Sequence, residues 1–227
     1  MSNVFIIDFE TNGLNPYYND VIELAVKSHN SDTSYQTLIK PIIDPSVPRE
    51  GGIHCLVTER ITELTGITNK MLIKEGIDPM KAFVNMMEHI VKNSNMDKSP
   101  IYLVAHNGNS FDFLFLKIMV RDFHRKNPKI DKSLKEKITQ IISRFKYIDT
   151  VLLAKSLLKN ERVSQKELCR KYKVKNNTEH RALGDVLALE KIFNHLVVSY
   201  QTKYNKENQS SINLMENLGI LRFELLY

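Results

Sequence analysis

The chain has 227 residues, 42% hydrophobic and 26% charged, an ordinary globular balance that excludes wholesale disorder and fibrous or collagen-like architectures. A formal net charge of +6 favours polyanionic partners, and two cysteines, Cys55 and Cys169, are too few for a disulfide-rich secreted scaffold or a four-cysteine zinc site. No apolar run approaches the ~20 residues needed to cross a bilayer, and the first, Val4 to Ile7, is cut short by Asp8 and Glu10, so neither a signal peptide nor a membrane partner is expected and the cytoplasm or nucleus is the expected location.

Val4–Phe9, Val21–His29 and Thr33–Lys40 are apolar or alternating runs divided by Asn12-Gly13 and Asn30-Ser31-Asp32, which predicts an opening meander of three antiparallel strands. A Pro/Gly-rich loop, Pro41 to Gly52, leads to short helical patterns around 57–64 and 68–74. A stronger helix follows from Pro79, with Asp78 as N-cap and Phe83, Met86, Met87, Ile90 and Val91 on one stripe. Ile101–Ala105 reads as a buried strand running into His106-Asn107-Gly108-Asn109, with Ser110 expected to cap a helix that begins Phe111-Asp112. A second short strand at Tyr147–Ile148 precedes helical patterns at 150–158 and 164–172, the latter opened by a Ser164/Glu167 capping box. The last long helix starts near Ala182, with Val186, Leu189, Phe193, Leu196 and Val197 on its apolar stripe. These elements predict an α/β mixed sheet flanked by helices over residues 1–200. Residues 201–227 read as a polar linker and a short apolar tail.

Positive charge is concentrated. Residues 121–146 carry nine basic side chains against Asp122, Asp131 and Glu136, and residues 161–175 carry six against Glu161 and Glu167. Either run is a solvated face or a phosphate-binding surface.

Asp8 and Glu10 stand at i and i+2 of a strand, so both carboxylates face one side, about 6–7 Å apart along the backbone. Repulsion and desolvation either raise their pKa values or call for a cation, and an oxygen-only donor set without thiolates suits Mg²⁺ or Mn²⁺. Asp112, in the first turn of its helix, either complements the helix dipole or reaches back over the sheet edge. His180 and Asp185 lie about 140° apart on a helix, so they converge only if His180 sits in the loop before it.

Asp8-Phe9-Glu10-Thr11-Asn12-Gly13-Leu14, His106-Asn107-Gly108-Asn109-Ser110-Phe111-Asp112 and His180-Arg181-Ala182-Leu183-Gly184-Asp185, in that order, resemble the DEDDh 3′→5′ exonucleases. Within that superfamily the His106 and Asp185 segments look most similar to the three-prime repair (TREX) DNA exonucleases, without a polyproline insertion or a long C-terminal anchor. The resemblance implies a ribonuclease-H-like exonuclease fold with a five-stranded mixed sheet. It also implies a site in which Asp8, Glu10, Asp112 and Asp185 hold two Mg²⁺ or Mn²⁺ ions and His180 is the general base, assisted by Glu10 as a catalytic ligand. Thr11 would lie near the terminal 3′-hydroxyl and Leu14 against the terminal base. The expected activity is removal of 5′-mononucleotides from DNA 3′ ends, with a preference for single strands. An RNA 3′-exonuclease is the alternative enzyme, and a catalytically inactive nucleic-acid-binding module is the alternative from another class. The likeness also leaves a homodimer open.

Overall fold

The computed structural model describes residues 3–41, 57–95, 100–126, 128–159, 161–176 and 180–204. The expected loop at 42–52 and the tail at 212–227 lie outside them.

The three opening runs are strands β1 (Val4–Thr11), β2 (Val21–Ser28) and β3 (Ser34–Leu38), paired antiparallel in sequence order. Helices α1 (Glu59–Thr65), α2 (Asn69–Glu75) and α3 (Pro79–Asn93) carry the chain to β4 (Ile101–Ala105). Each helix starts on a side-chain cap: Thr58, Thr68 and Asp78 accept from Ile61, Met71 and Lys81 N–H respectively. Because so long a crossover separates β4 from β1, the two can pair parallel, Phe5 opposite Leu103. Helices α4 (Asp112–Lys126) and α5 (Lys132–Ile142) make the next crossover to β5 (Phe145–Asp149), which is parallel to β4. The sheet order is β3-β2-β1-β4-β5, so β1 is central. Helices α6 (Thr150–Leu157), α7 (Gln165–Tyr172) and α8 (Ala182–Tyr204) complete the described fold.

Strand alternation divides the core in two. Phe5, Ile7 and Phe9 of β1 join the buried side chains of α3, α4 and α5, whereas Val4 and Ile6 join those of α6, α7 and α8. By the same alternation Asp8 and Glu10 belong to the α8 side.

Three elements differ from expectation. Ser110 does not cap α4. The αL conformation of Asn107 (φ 60°) and the Asp149 carboxylate, which accepts from Asn107 and Asn109 N–H, tighten the loop into a 3₁₀ turn, Gly108–Ser110, and α4 begins only at Asp112. The lysine-rich segment contains a helix, α5, that its charge concealed: Asp131 caps it by accepting from Leu134 N–H, and Ile138, Ile141 and Ile142 are buried. Helix α8 runs four residues, 201–204, into the segment expected as linker.

Candidate active site

The site forms at the C-terminal end of β1. Asp8 and Glu10 project from the central strand and Asp185 from the first turn of α8, and one carboxylate oxygen of each lies within 4.8 Å of the others. All three are half-buried. Burial raises the Asp8 pKa well above the usual carboxylate range, with further contributions from Asp112, Glu10, Asp185 and Glu23. Glu10 is pushed up to about 7, again by burial first and then by Asp185, Glu23 and Asp112, with Arg181 opposing.

Asp112 is engaged differently from these three. It is buried, and its Oδ1 accepts from Phe9 N–H at 3.0 Å. The parallel ladder between β1 and β4 is registered from Val4 to Ile6, so Asp112 inserts where the two strands part and takes a strand amide beyond that ladder. Burial raises its pKa to about 7 against the lowering effect of that hydrogen bond. Of the four expected ligands, three meet directly, and the fourth is buried and opposes the ionisation of Asp8.

His180 sits in the turn before α8, in the αL conformation (φ 62°), exposed, with its backbone N–H donating to Asp185 Oδ2 at 2.9 Å. That is the loop placement the spacing required. Asp185 Oδ1 accepts from Gln165 Nε2 of α7 (3.1 Å) and Asn176 Nδ2 (2.7 Å), so its carboxylate is oriented from two further segments. Neither residue carries a local sequence signal for that role.

A fifth carboxylate, Glu23, was also missed. It lies directly opposite Glu10 in the β1–β2 register and its side chain is 1% exposed. Two like charges facing each other across a ladder are unfavourable. Here Arg181 offsets the repulsion with a two-pronged contact, Nη2 to Oε1 at 2.7 Å and Nε to Oε2 at 3.1 Å, while Ala182 N–H donates to Oε2 at 3.0 Å and Gln36 Nε2 to Oε1 at 2.6 Å. Glu23 thereby ties the residues following His180 to β2. Nothing local in Val21–Ser28 marks this pairing, because Arg181 lies 158 positions away.

Thr11 is buried and its Oγ1 donates to Gly13 O at 2.6 Å. Leu14 is 82% exposed, so it belongs to the surface beside the site. The basic run at 161–175 includes α7, which reaches the site through Gln165. The run at 121–146 forms the end of α4 and α5; there Lys126 and Arg121 both pair with Asp122, and α5 packs on α3.

The donor set fits a hard divalent cation. It consists of carboxylate oxygens alone, drawn close enough to repel, and the raised pKa values of Asp8 and Glu10 mark a cost of ionisation that a cation would offset.

A family model described as RNase_T, exonuclease, matches residues 5–193. The chain belongs to this exonuclease family. Among curated relatives, the PolC-type DNA polymerase III of Thermotoga petrophila is 32% identical over 193 residues, covering 83% of this chain and 11% of the polymerase. The chloroplastic/mitochondrial exonuclease DPD1 of Arabidopsis thaliana is 28% identical over 201 residues, covering 86% of this chain and 56% of that protein. The chain therefore spans about a tenth of the polymerase and little more than half of the plant exonuclease. Among solved structures, the zinc-bound complex of E. coli ExoI with single-stranded DNA superposes with a TM-score of 0.62 at 17% identity, over 94% of this chain and 42% of that one. The fold is thus the ribonuclease-H-like exonuclease fold with its five-stranded mixed sheet. The narrower likeness to the three-prime repair exonucleases rests on the motifs of the chain alone. Among the described residues no helix is long and apolar enough to cross a membrane.

Proposed function

We propose that the chain is a 3′→5′ exonuclease that removes 5′-mononucleotides from DNA, with single strands as preferred substrate, and that residues 1–200 are the unit responsible. The observation that carries this reading is the convergence of Asp8, Glu10 and Asp185 within 4.8 Å, with Asp112 buried on the amide of Phe9 between Asp8 and Glu10 in the strand. Family membership and the single-stranded DNA held by the similar ExoI fold support the choice of substrate.

Asp8, Glu10, Asp112 and Asp185 would hold Mg²⁺ or Mn²⁺. When bound, such cations supply Lewis acidity at the phosphoryl oxygens and an acidified water. The chain's own residues provide the rest. A ring nitrogen of His180 takes the proton of the attacking water, a role typically worth about 10²–10⁴-fold. Gln165, Asn176 and the His180 amide fix the Asp185 carboxylate, so little reorganisation is needed when substrate arrives. Thr11 commits its hydroxyl proton to Gly13 O, which leaves its oxygen as an acceptor for the terminal 3′-hydroxyl. Leu14 supplies an apolar edge against the terminal base. The basic side chains of α7 and its flanks contact phosphates without regard to sequence.

Incubation of 5′-labelled and 3′-labelled DNA and RNA oligonucleotides with and without Mg²⁺ tests polarity, sugar choice and metal need together. The expected result is a 5′-labelled DNA ladder that shortens stepwise only with the cation, while the 3′ label is released at once as mononucleotide. A product pool of internal fragments, or shortening from the 5′ end, would overturn the reading. Faster loss of RNA than DNA would transfer the same chemistry to RNA ends. A KM that rises steeply with salt is expected of the phosphate contacts.

A further inference from the structure

The loop Asn12–Asp20 that joins β1 to β2 starts two residues after Glu10 and is braced from within. Asn12 N–H donates to Asp20 O (3.1 Å) and Asp20 N–H to Asn12 Oδ1 (2.8 Å), which closes its base. Asn15 organises the tip: its Oδ1 accepts from Tyr17 N–H (2.9 Å), its backbone carbonyl accepts from Tyr18 and Asn19 N–H, and its own N–H donates to Asn19 Oδ1 (3.0 Å). Gly13 is packed so tightly on Asn19 that a Cβ there would fall 2.4 Å from that side chain. On its inner side the loop turns Pro16 and Asn19 to an apolar crevice shared with Met80, Phe115 and Lys126. Yet Tyr17 and Tyr18 are each 71% exposed, and Leu14 is exposed on the same loop.

A single exposed apolar side chain needs no explanation. Two consecutive exposed tyrosines and an exposed leucine on one braced loop, four to eight residues beyond Glu10, are a concentration that does. Flat rings held in place lose little entropy on contact, and every base offers a π-face to them whatever its identity. The chain's net positive charge suits a polyanion at this surface.

We propose that Tyr17 and Tyr18 form a stacking platform for the bases of a single nucleic-acid strand that lie behind the terminal nucleotide. This rests on the exonuclease reading for its placement. Leu14 meets the last base, and the tyrosines engage its neighbours, so that the strand is gripped through its bases as well as its phosphates.

Binding of a short fluorescein-labelled single-stranded DNA in EDTA, followed by anisotropy, tests this without turnover. The variant carrying both Tyr17→Ala and Tyr18→Ala is expected to bind about tenfold more weakly, whereas Tyr17→Phe with Tyr18→Phe stays within about twofold of wild type. An oligonucleotide made abasic behind its 3′ nucleotide should lose the same factor with the wild type and nothing further with the alanine pair. With Mg²⁺, the alanine pair should raise KM and leave kcat within about twofold. Equal affinity of wild type and alanine pair, an equal loss on both strands, or a change confined to self-association in sedimentation overturns the platform. A wild type that discriminates against the abasic strand yet fails to shorten a 5′-labelled one in Mg²⁺ overturns the exonuclease reading and leaves the platform standing.

Discussion

From β1 and β2, alternate residues enter two very different environments. Phe5, Ile7, Phe9, Leu24 and Val26 go to the face covered by α3, α4 and α5, where the ring centroids of Phe83 and Phe123 lie 5.5 Å apart. Asp8, Glu10, Glu23 and Lys27 go to the other face, against α8, where Lys27 pairs with Glu190 at 2.7 Å and Glu23 with Arg181. One sheet therefore separates its tasks by parity. The odd positions of β1 supply burial, and the even positions toward its end hold crowded carboxylates whose repulsion a hard divalent cation would relieve.

This contrast can be broken from either side. The largest effect is expected on the charged face: Asp185→Asn should lower kcat by at least about 10³-fold with Mg²⁺, the equivalent of several kcal/mol of cation stabilisation, and weaken Mn²⁺ binding measured by calorimetry. His180→Ala should cost about 10²–10⁴-fold in kcat while Mn²⁺ affinity is kept; full activity would remove His180 from the base role. On the apolar face the signs reverse. Phe123→Ala should cost about 3–5 kcal/mol in urea unfolding and leave kcat unchanged at temperatures where the variant stays folded.

Arg181→Ala falls between the two faces. It leaves Glu23 buried opposite Glu10 and should destabilise by about 1–3 kcal/mol, most of which the added change Glu23→Gln should recover. The smallest effect is one of pH. Glu10 and Asp112, raised to about 7 from 4.5 and 3.8, bind protons in the folded chain that the unfolded chain has released. Their contribution to stability is full below about pH 4 and is lost as pH rises to about 7. In EDTA the melting temperature should therefore be lower at about pH 8 than at about pH 5, and Mg²⁺ should restore more at the higher pH. A rise toward alkaline pH would contradict the raised values.

What could be read from the sequence follows from the range of the interactions. Asp8 and Glu10 were legible because a strand's period fixes their common side, and Asp78 and Ser164 because a cap is a contact across three residues. Helix α5 was not, since Lys132, Lys135 and Lys137 outweigh Ile138, Ile141 and Ile142 until α3 provides a surface to bury them. Gln165, Asn176, Glu23 and Arg181 act on partners up to 159 positions away, and no local pattern marks such pairings. Ser110 misled for the opposite reason: its local signal was genuine, but Asp149, 39 positions on from it, reshaped the turn.

The hydrogen bond from Phe9 N–H to Asp112 gives the molecule an internal gauge. This amide proton leans on a carboxylate that a bound ion would draw on, so its nuclear magnetic resonance frequency and its rate of exchange with deuterated solvent should both move as the pocket fills. A single backbone signal, in the middle of the sheet and distant from any dye or label, would then report occupancy before any phosphodiester is cut.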